Sequence, residues 1–118
     1  MNRSYEQLSF ADLIETPKPT SPIYLKYQQV QDKYPSSIIL MRIGDFYEAM
    51  GDNAEYVANL LDITLTGRLV GNGIRISMCG FPYHMTKEYV EKILIDKSVV
   101  VIEDNQEFYI ISHEEARK

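Results

Sequence analysis

Phe46 and Glu48 are spaced two apart, with Tyr47 between them. In a strand the outer two project to one face and Tyr47 to the other. With Tyr47 and Met41 turned inward, Phe46 and Glu48 stand exposed together; in the opposite orientation Phe46 becomes core and Glu48 an edge charge. Asp45 and Glu48 suggest a second chemistry, a shared magnesium of the nuclease type, but a hairpin sends residues three apart to opposite faces. His84 and His113 are the only histidines, and neither has a second ligand at metal-binding spacing. Cys79 lies in an apolar run and reads as a small buried residue rather than a nucleophile. A lone cysteine also excludes an intrachain disulfide and a cysteine-built zinc site. No Gly-x-x-x-x-Gly-Lys-Ser/Thr loop is present, and Gly71-Asn72-Gly73 lacks the third glycine and following helix of a dinucleotide site. No converging catalytic constellation emerges, so neither enzyme activity nor a cofactor is expected.

The elements that must position these residues can be read from spacing. Ser21-Pro22 is a strong helix start, and Ile23, Tyr24, Tyr27, Val30 and Tyr34 recur at helical spacing up to Pro35. Ser37 to Ile43 is a short apolar run suited to a buried strand, Gly44-Asp45 a turn, and Phe46 to Met50 the second arm of a hairpin. Asp52 and Glu55 have the form of a capping box, with Ala54, Val57, Ala58 and Leu61 on one helical face. Ile63 to Leu69 and Ile74 to Cys79 read as strands around a glycine-rich turn, Thr86 to Lys97 as a helix, and Val99 to Ile102 with Phe108 to Ile111 as a last pair of strands. The expected fold is α/β: a small mixed sheet of about six strands packed with three helices.

The chain has 118 residues, 45% of them hydrophobic and 25% charged, the composition of one globular domain. Residues 1–20 lack a sustained period and end in Thr16-Pro17-Lys18-Pro19-Thr20, so they are expected to form an unpaired arm or linker. Within it, Tyr5 to Ile14 has the pattern of a short amphipathic turn. Residues 21–112 are expected to form the folded domain, and 113–118 a tail or the start of a linker. No run approaches the roughly 20 apolar residues of a membrane span, and no signal peptide is evident, so a cytoplasmic location off the membrane is expected. The net charge of −5 argues against a general nucleic-acid coat protein. That charge is uneven: residues 1–20 carry two basic and three acidic side chains, residues 104–118 two and four, and the stretch between them eight and ten. The middle is therefore nearly neutral.

Gly44-Asp45-Phe46-Tyr47-Glu48 resembles the Gly-x-Phe-Tyr-Glu signature of the mismatch-recognition domain at the N-terminus of bacterial MutS proteins. Three further blocks follow the family's order and spacing. Ser21-Pro22 to Tyr34 resembles its first helix. Leu60-Leu61-Asp62-Ile63-Thr64-Leu65-Thr66-x-Arg68 resembles its Leu-Leu-Asp-Ile-x-Leu-Thr-x-Arg run, and Met78-Cys79-Gly80-Phe81-Pro82-Tyr83-His84 its Met-Ala-Gly-Ile-Pro-Tyr-His turn. The resemblance spans about Ser21 to Glu103. It implies a domain placed on mismatched or distorted double-stranded DNA by the rest of a much larger MutS dimer, whose nucleotide-binding domains lie outside this chain. It also implies that Phe46 enters the minor groove and stacks on a mispaired or unpaired base, and that Glu48 hydrogen-bonds that base.

Between Ile63 and Gly80 the only charges are Arg68 and Arg75, which makes this hairpin the best candidate for phosphate contact, with two arginines on a solvated loop as the alternative. Gly67 stands where many relatives carry a basic residue. Met41 replaces a frequent aromatic, a change expected at the wall beside Phe46. Tyr83 and His84 are expected to be structural, with His84 in a turn or at a helix cap. The charged end from Glu114 to Lys118 suits a cut from a longer polypeptide. The rival reading is a protein-interaction or structural module that keeps the fold without binding DNA.

Overall fold

The computed structural model describes residues 17–105 and 107–113. The amphipathic turn expected at Tyr5 to Ile14 and the tail from Glu114 onward lie outside them. Helix α1 (Pro22–Lys33) begins as its sequence dictates: the Ser21 hydroxyl accepts the Tyr24 N–H at 3.3 Å, and Pro22 occupies a first-turn position where no N–H is needed. Strands β1 (Ile38–Ile43) and β2 (Phe46–Met50) form a hairpin with Ile43 opposite Phe46. Its two-residue connection starts at Gly44, whose φ of +59° only glycine takes without steric cost. Then come α2 (Asp52–Leu61), β3 (Thr66–Leu69), β4 (Arg75–Pro82), a 3₁₀ turn (Tyr83–Met85), α3 (Thr86–Ile93), β5 (Val99–Ile102) and β6 (Phe108–Ile111).

The strands make one six-stranded sheet in the order β3-β4-β2-β1-β5-β6, with β1 and β5 parallel and every other pair antiparallel. The α/β expectation of a mixed sheet with three helices is met. Each face carries its own core. On one, Ile38, Leu40, Tyr47, Ala49, Cys79, Phe81, Val99 and Val101 pack under α2 and α3. On the other, Ile39, Met41, Met50, Val100 and Ile102 pack under Tyr27 and Val30 of α1. Because Ile38–Met41 of β1 and all of β5 are covered on both faces, they read as unbroken apolar runs rather than alternating ones.

Several local expectations are corrected. Asp52 is not a helix cap: the cap is Gly51, at φ +64°, and no side chain caps α2. The neighbouring Asn53 and the Glu55 expected to complete the box are engaged elsewhere. Asn53 Oδ1 accepts the Ile39 N–H at 2.7 Å, and Glu55 Oε2 accepts the Ser77 hydroxyl at 3.0 Å. Helix α3 stops at Ile93, four residues early, and Asp96 and Lys97 fold back to donate to the Ile93 carbonyl. Strand β3 starts only at Thr66, because Asp62 turns left-handed (φ +54°) after α2 and the Ile63 N–H returns to Ala58. Strand β4 runs on to Pro82, so Gly80-Phe81-Pro82 is paired strand rather than turn.

The end of the segment expected to be an unpaired arm is hydrogen-bonded. Thr20 and Ser21 both donate to the Val70 carbonyl at 2.8 Å, and Asn72 Nδ2 donates to the Lys18 carbonyl at 2.8 Å. Gly71 allows this approach, since a Cβ there would lie 2.0 Å from Thr20 Oγ1.

Candidate nucleic-acid interface

The two-residue hairpin sets which side chains share a face. Pairing of Met41 with Glu48 and of Ile43 with Phe46 puts all four on the α1 side of the sheet, while Tyr47 enters the opposite core with 7% of its surface exposed. Helix α1 covers the middle of its face but not the end carrying the hairpin. Phe46 is therefore 45% exposed, flanked by Ile43 on one strand and Pro82 on the other. Of the two orientations open in the sequence, the structure has the one that turns Tyr47 inward. Met41 is also buried, but on the face opposite Tyr47, and it borders Glu48 rather than Phe46.

Glu48 is the more enclosed member, with 14% of its side chain exposed. Its other cross-strand neighbour is Gly80, where a Cβ would come within 2.9 Å of Glu48 Cγ and 3.4 Å of Oε1. The missing side chain lets the carboxylate lie across β4 toward β3, where Arg68 Nη1 stands 4.0 Å from Oε2. Burial pushes the Glu48 carboxyl above its ordinary range, and the Arg68 charge opposes that rise. A carboxyl whose folded pKa is raised favours folding at pH values below its unfolded pKa, and that contribution is lost as pH rises through the folded value. Glu48→Gln should thus raise the thermal midpoint at pH 7, by about 2 °C, and the gain should shrink toward zero near about pH 4. Calorimetry at the two pH values checks this, and a midpoint lowered at pH 7 contradicts it.

Arg68 and Arg75 part company. Arg68 pairs with Ile76 on the Glu48 face; Arg75 pairs with Leu69 on the other face, where its guanidinium lies over Gly67 with Nε 2.3 Å from where a Cβ would be. The structure thus brings Phe46, Glu48 and Arg68 to one face and leaves Arg75 on the reverse of the same edge hairpin. Asp45 is exposed in the hairpin turn, and among the described residues no group of three or more His, Cys, Asp or Glu side chains is placed to hold a metal ion. Cys79 is buried, with its thiol 3.3 Å from the Ala54 carbonyl and its pKa pushed up by burial to about 11. His84 lies exposed in the 3₁₀ turn, and the His113 N–H donates to Ser98 Oγ at 3.3 Å.

Sequence reasoning missed the support behind Phe46. On the reverse face, the Arg42 guanidinium lies 5.5 Å from the Tyr47 ring and 4.4 Å from the Tyr83 ring, and its Nε donates to the Gly44 carbonyl at 2.5 Å. The Tyr47 hydroxyl donates to Glu103, which also accepts from Tyr109 at 3.2 Å. Burial and then the Glu103 carboxylate raise the Tyr47 pKa, against the opposing Arg42 charge, and burial with the neighbouring Tyr47 and Glu103 pushes that of Tyr109 up to about 12. The Tyr83 N–H donates to the Asp45 carbonyl at 2.8 Å, tying the hairpin turn to the end of β4. The signal was available in part: a two-residue turn at Gly44-Asp45 already pairs Arg42 with Tyr47.

An exposed aromatic ring and a largely enclosed carboxylate thus share the open end of a braced sheet. Comparison with known sequences places the chain in a family. A family model described as MutS domain I matches residues 21–115, and the chain belongs to that family. Similar curated proteins include the DNA mismatch repair protein MutS of Desulfitobacterium hafniense (strain Y51), 41% identical over 80 residues, covering 68% of this chain and 9% of that protein. That of Symbiobacterium thermophilum is 38% identical over 92 residues, 77% of this chain and 10% of the relative. That of Borreliella burgdorferi (strain ZS7) is 40% identical over 87 residues, 73% and 10%. The chain spans about a tenth of the length of these relatives. Among the described residues, no helix is long and apolar enough to cross a membrane.

Proposed function

We propose that this domain reads defects in double-stranded DNA, with Phe46 entering the minor groove at a mispaired or unpaired base and Glu48 hydrogen-bonding that base. One observation carries the reading: Phe46 and Glu48 share the uncovered end of one sheet face while Tyr47 between them is locked into the other core. An apolar wedge costs a few kcal/mol of unstacking, and less where pairing is already defective, so a mismatch is selected by its deformability as well as by contact. The Glu48 carboxylate is repelled by phosphates and disfavours intact duplex unless a base donor meets it or it takes up a proton. Arg75, exposed on the reverse face of the β3–β4 hairpin, is the arginine left free of Glu48 for phosphate contact. With a near-neutral domain, most of the affinity comes from elsewhere, which fits a chain working beside the further domains of a larger polypeptide or a MutS-like partner. Titrating labelled duplexes with and without a single unpaired thymine at low salt tests the reading. Tighter binding to the defective duplex is expected; equal binding to both, or none, favours the interaction-module alternative.

A further inference from the structure

Within this reading of the site, we propose that Gly80 and Arg68 are specificity-determining positioning residues that act through Glu48, Gly80 by leaving the space in which its side chain lies and Arg68 by holding its carboxylate across β4. Three observations converge on one side chain. Gly80 sits opposite Glu48 in the β2–β4 ladder, and the atoms its missing Cβ would meet are Glu48 Cγ at 2.9 Å, the Tyr47 carbonyl at 3.0 Å and Glu48 Oε1 at 3.4 Å. The guanidinium of Arg68 closes the far end of that slot at 4.0 Å from Oε2. On the near side Met41, buried and apolar, offers the carboxylate no hydrogen-bond donor from its side chain. Glu48 is thereby laid over the glycine toward the arginine instead of standing upright from the sheet.

This gives Arg68 a task different from phosphate binding. A phosphate contact strengthens binding to every duplex and adds about 0.9 to the salt slope. An arginine acting through Glu48 changes the ratio between defective and intact duplex instead.

The two roles separate in a double-mutant cycle on this chain, using an intact duplex and one with a single unpaired thymine. Gly80→Ala should lower the binding ratio about tenfold with Glu48 present and less than about twofold in the Glu48→Ala background, the coupling expected of residues in contact. Arg68→Gln should behave in the same way, leave the salt slope unchanged, and be partly rescued by Arg68→Lys. Should Gly80→Ala unfold the chain, the arginine arm of the cycle decides alone. Equal losses with and without Glu48, or a salt slope reduced by about 0.9 with the ratio intact, overturn the proposal. A wild-type chain that does not distinguish the two duplexes overturns the reading of function as well; discrimination that depends on Phe46 but not on Gly80 or Arg68 overturns this inference alone.

Discussion

Phe46→Ala is expected to remove most of the preference for a duplex with an unpaired thymine while leaving the fold intact. The ring is 45% exposed and belongs to neither core, so its loss costs little stability, within about 0.5 kcal/mol. Stacking of a base on an aromatic side chain contributes about 1 to 3 kcal/mol, which at about 1.4 kcal/mol per decade corresponds to a fall in the binding ratio of about fivefold to one-hundredfold. Phe46→Leu separates stacking from wedging: leucine keeps the apolar bulk without a π-face and should retain an intermediate ratio. Fluorescence titration of the three proteins against both duplexes, with thermal melts alongside, measures both effects. A ratio unchanged in Phe46→Ala would remove the wedge from the mechanism.

The largest expected loss of stability comes from one oxygen atom. Tyr27 reaches from α1 into the sheet, where its hydroxyl lies 2.5 Å from the Ile39 carbonyl, accepts the Met50 N–H at 3.0 Å, and stands 3.1 Å from Asn53 Oδ1, which itself accepts the Ile39 N–H. Burial drives its pKa far above the ordinary tyrosine range, so it works as a neutral donor and acceptor. Tyr27→Phe keeps the ring and strands the partner groups on β1 and β2. Leaving buried backbone groups unsatisfied should cost about 2 kcal/mol, a fall of roughly 10 °C in the thermal midpoint for a domain of this size. Asn53→Ala should cost less in the Tyr27→Phe background than alone, because the two share a network. A Tyr27→Phe midpoint within about 2 °C of wild type would show that water or a shifted backbone replaces the hydroxyl.

What the sequence disclosed about this fold follows the range over which each interaction acts. Ser21-Pro22 and Gly44-Asp45 state their roles within a few residues, and α1 and the β1–β2 hairpin form where those signals put them. Asp52 misled because capping also depends on backbone geometry: Gly51 sets the entry into α2, and Asn53 and Glu55 are committed to distant partners. Gly80 and Pro82 look like breakers in one dimension. In the sheet, the glycine is needed by Glu48 across the ladder, and the proline falls at the strand's last position. For the site, alternation alone put Phe46 and Glu48 on one face. The pairing of Glu48 with Arg68, and the backing of Tyr47 by Glu103, join residues far apart in the chain and became visible only with the strand order.

The parallel pairing of β1 with β5 also dictates an order of assembly. The β1–β2 hairpin is local and needs no later residue to close, whereas Ile38 finds its parallel neighbour only when Val99 arrives. During synthesis, one edge of β1 stays open through the making of three intervening strands and two helices, a slow, non-local step in which an apolar strand edge is exposed to association. Glu103, which accepts the Tyr47 hydroxyl behind Phe46, is made later still. A nascent chain therefore displays Phe46 on its hairpin long before the brace that stiffens it exists, and the face carrying Phe46 and Glu48 becomes rigid only when nearly the whole domain has been completed.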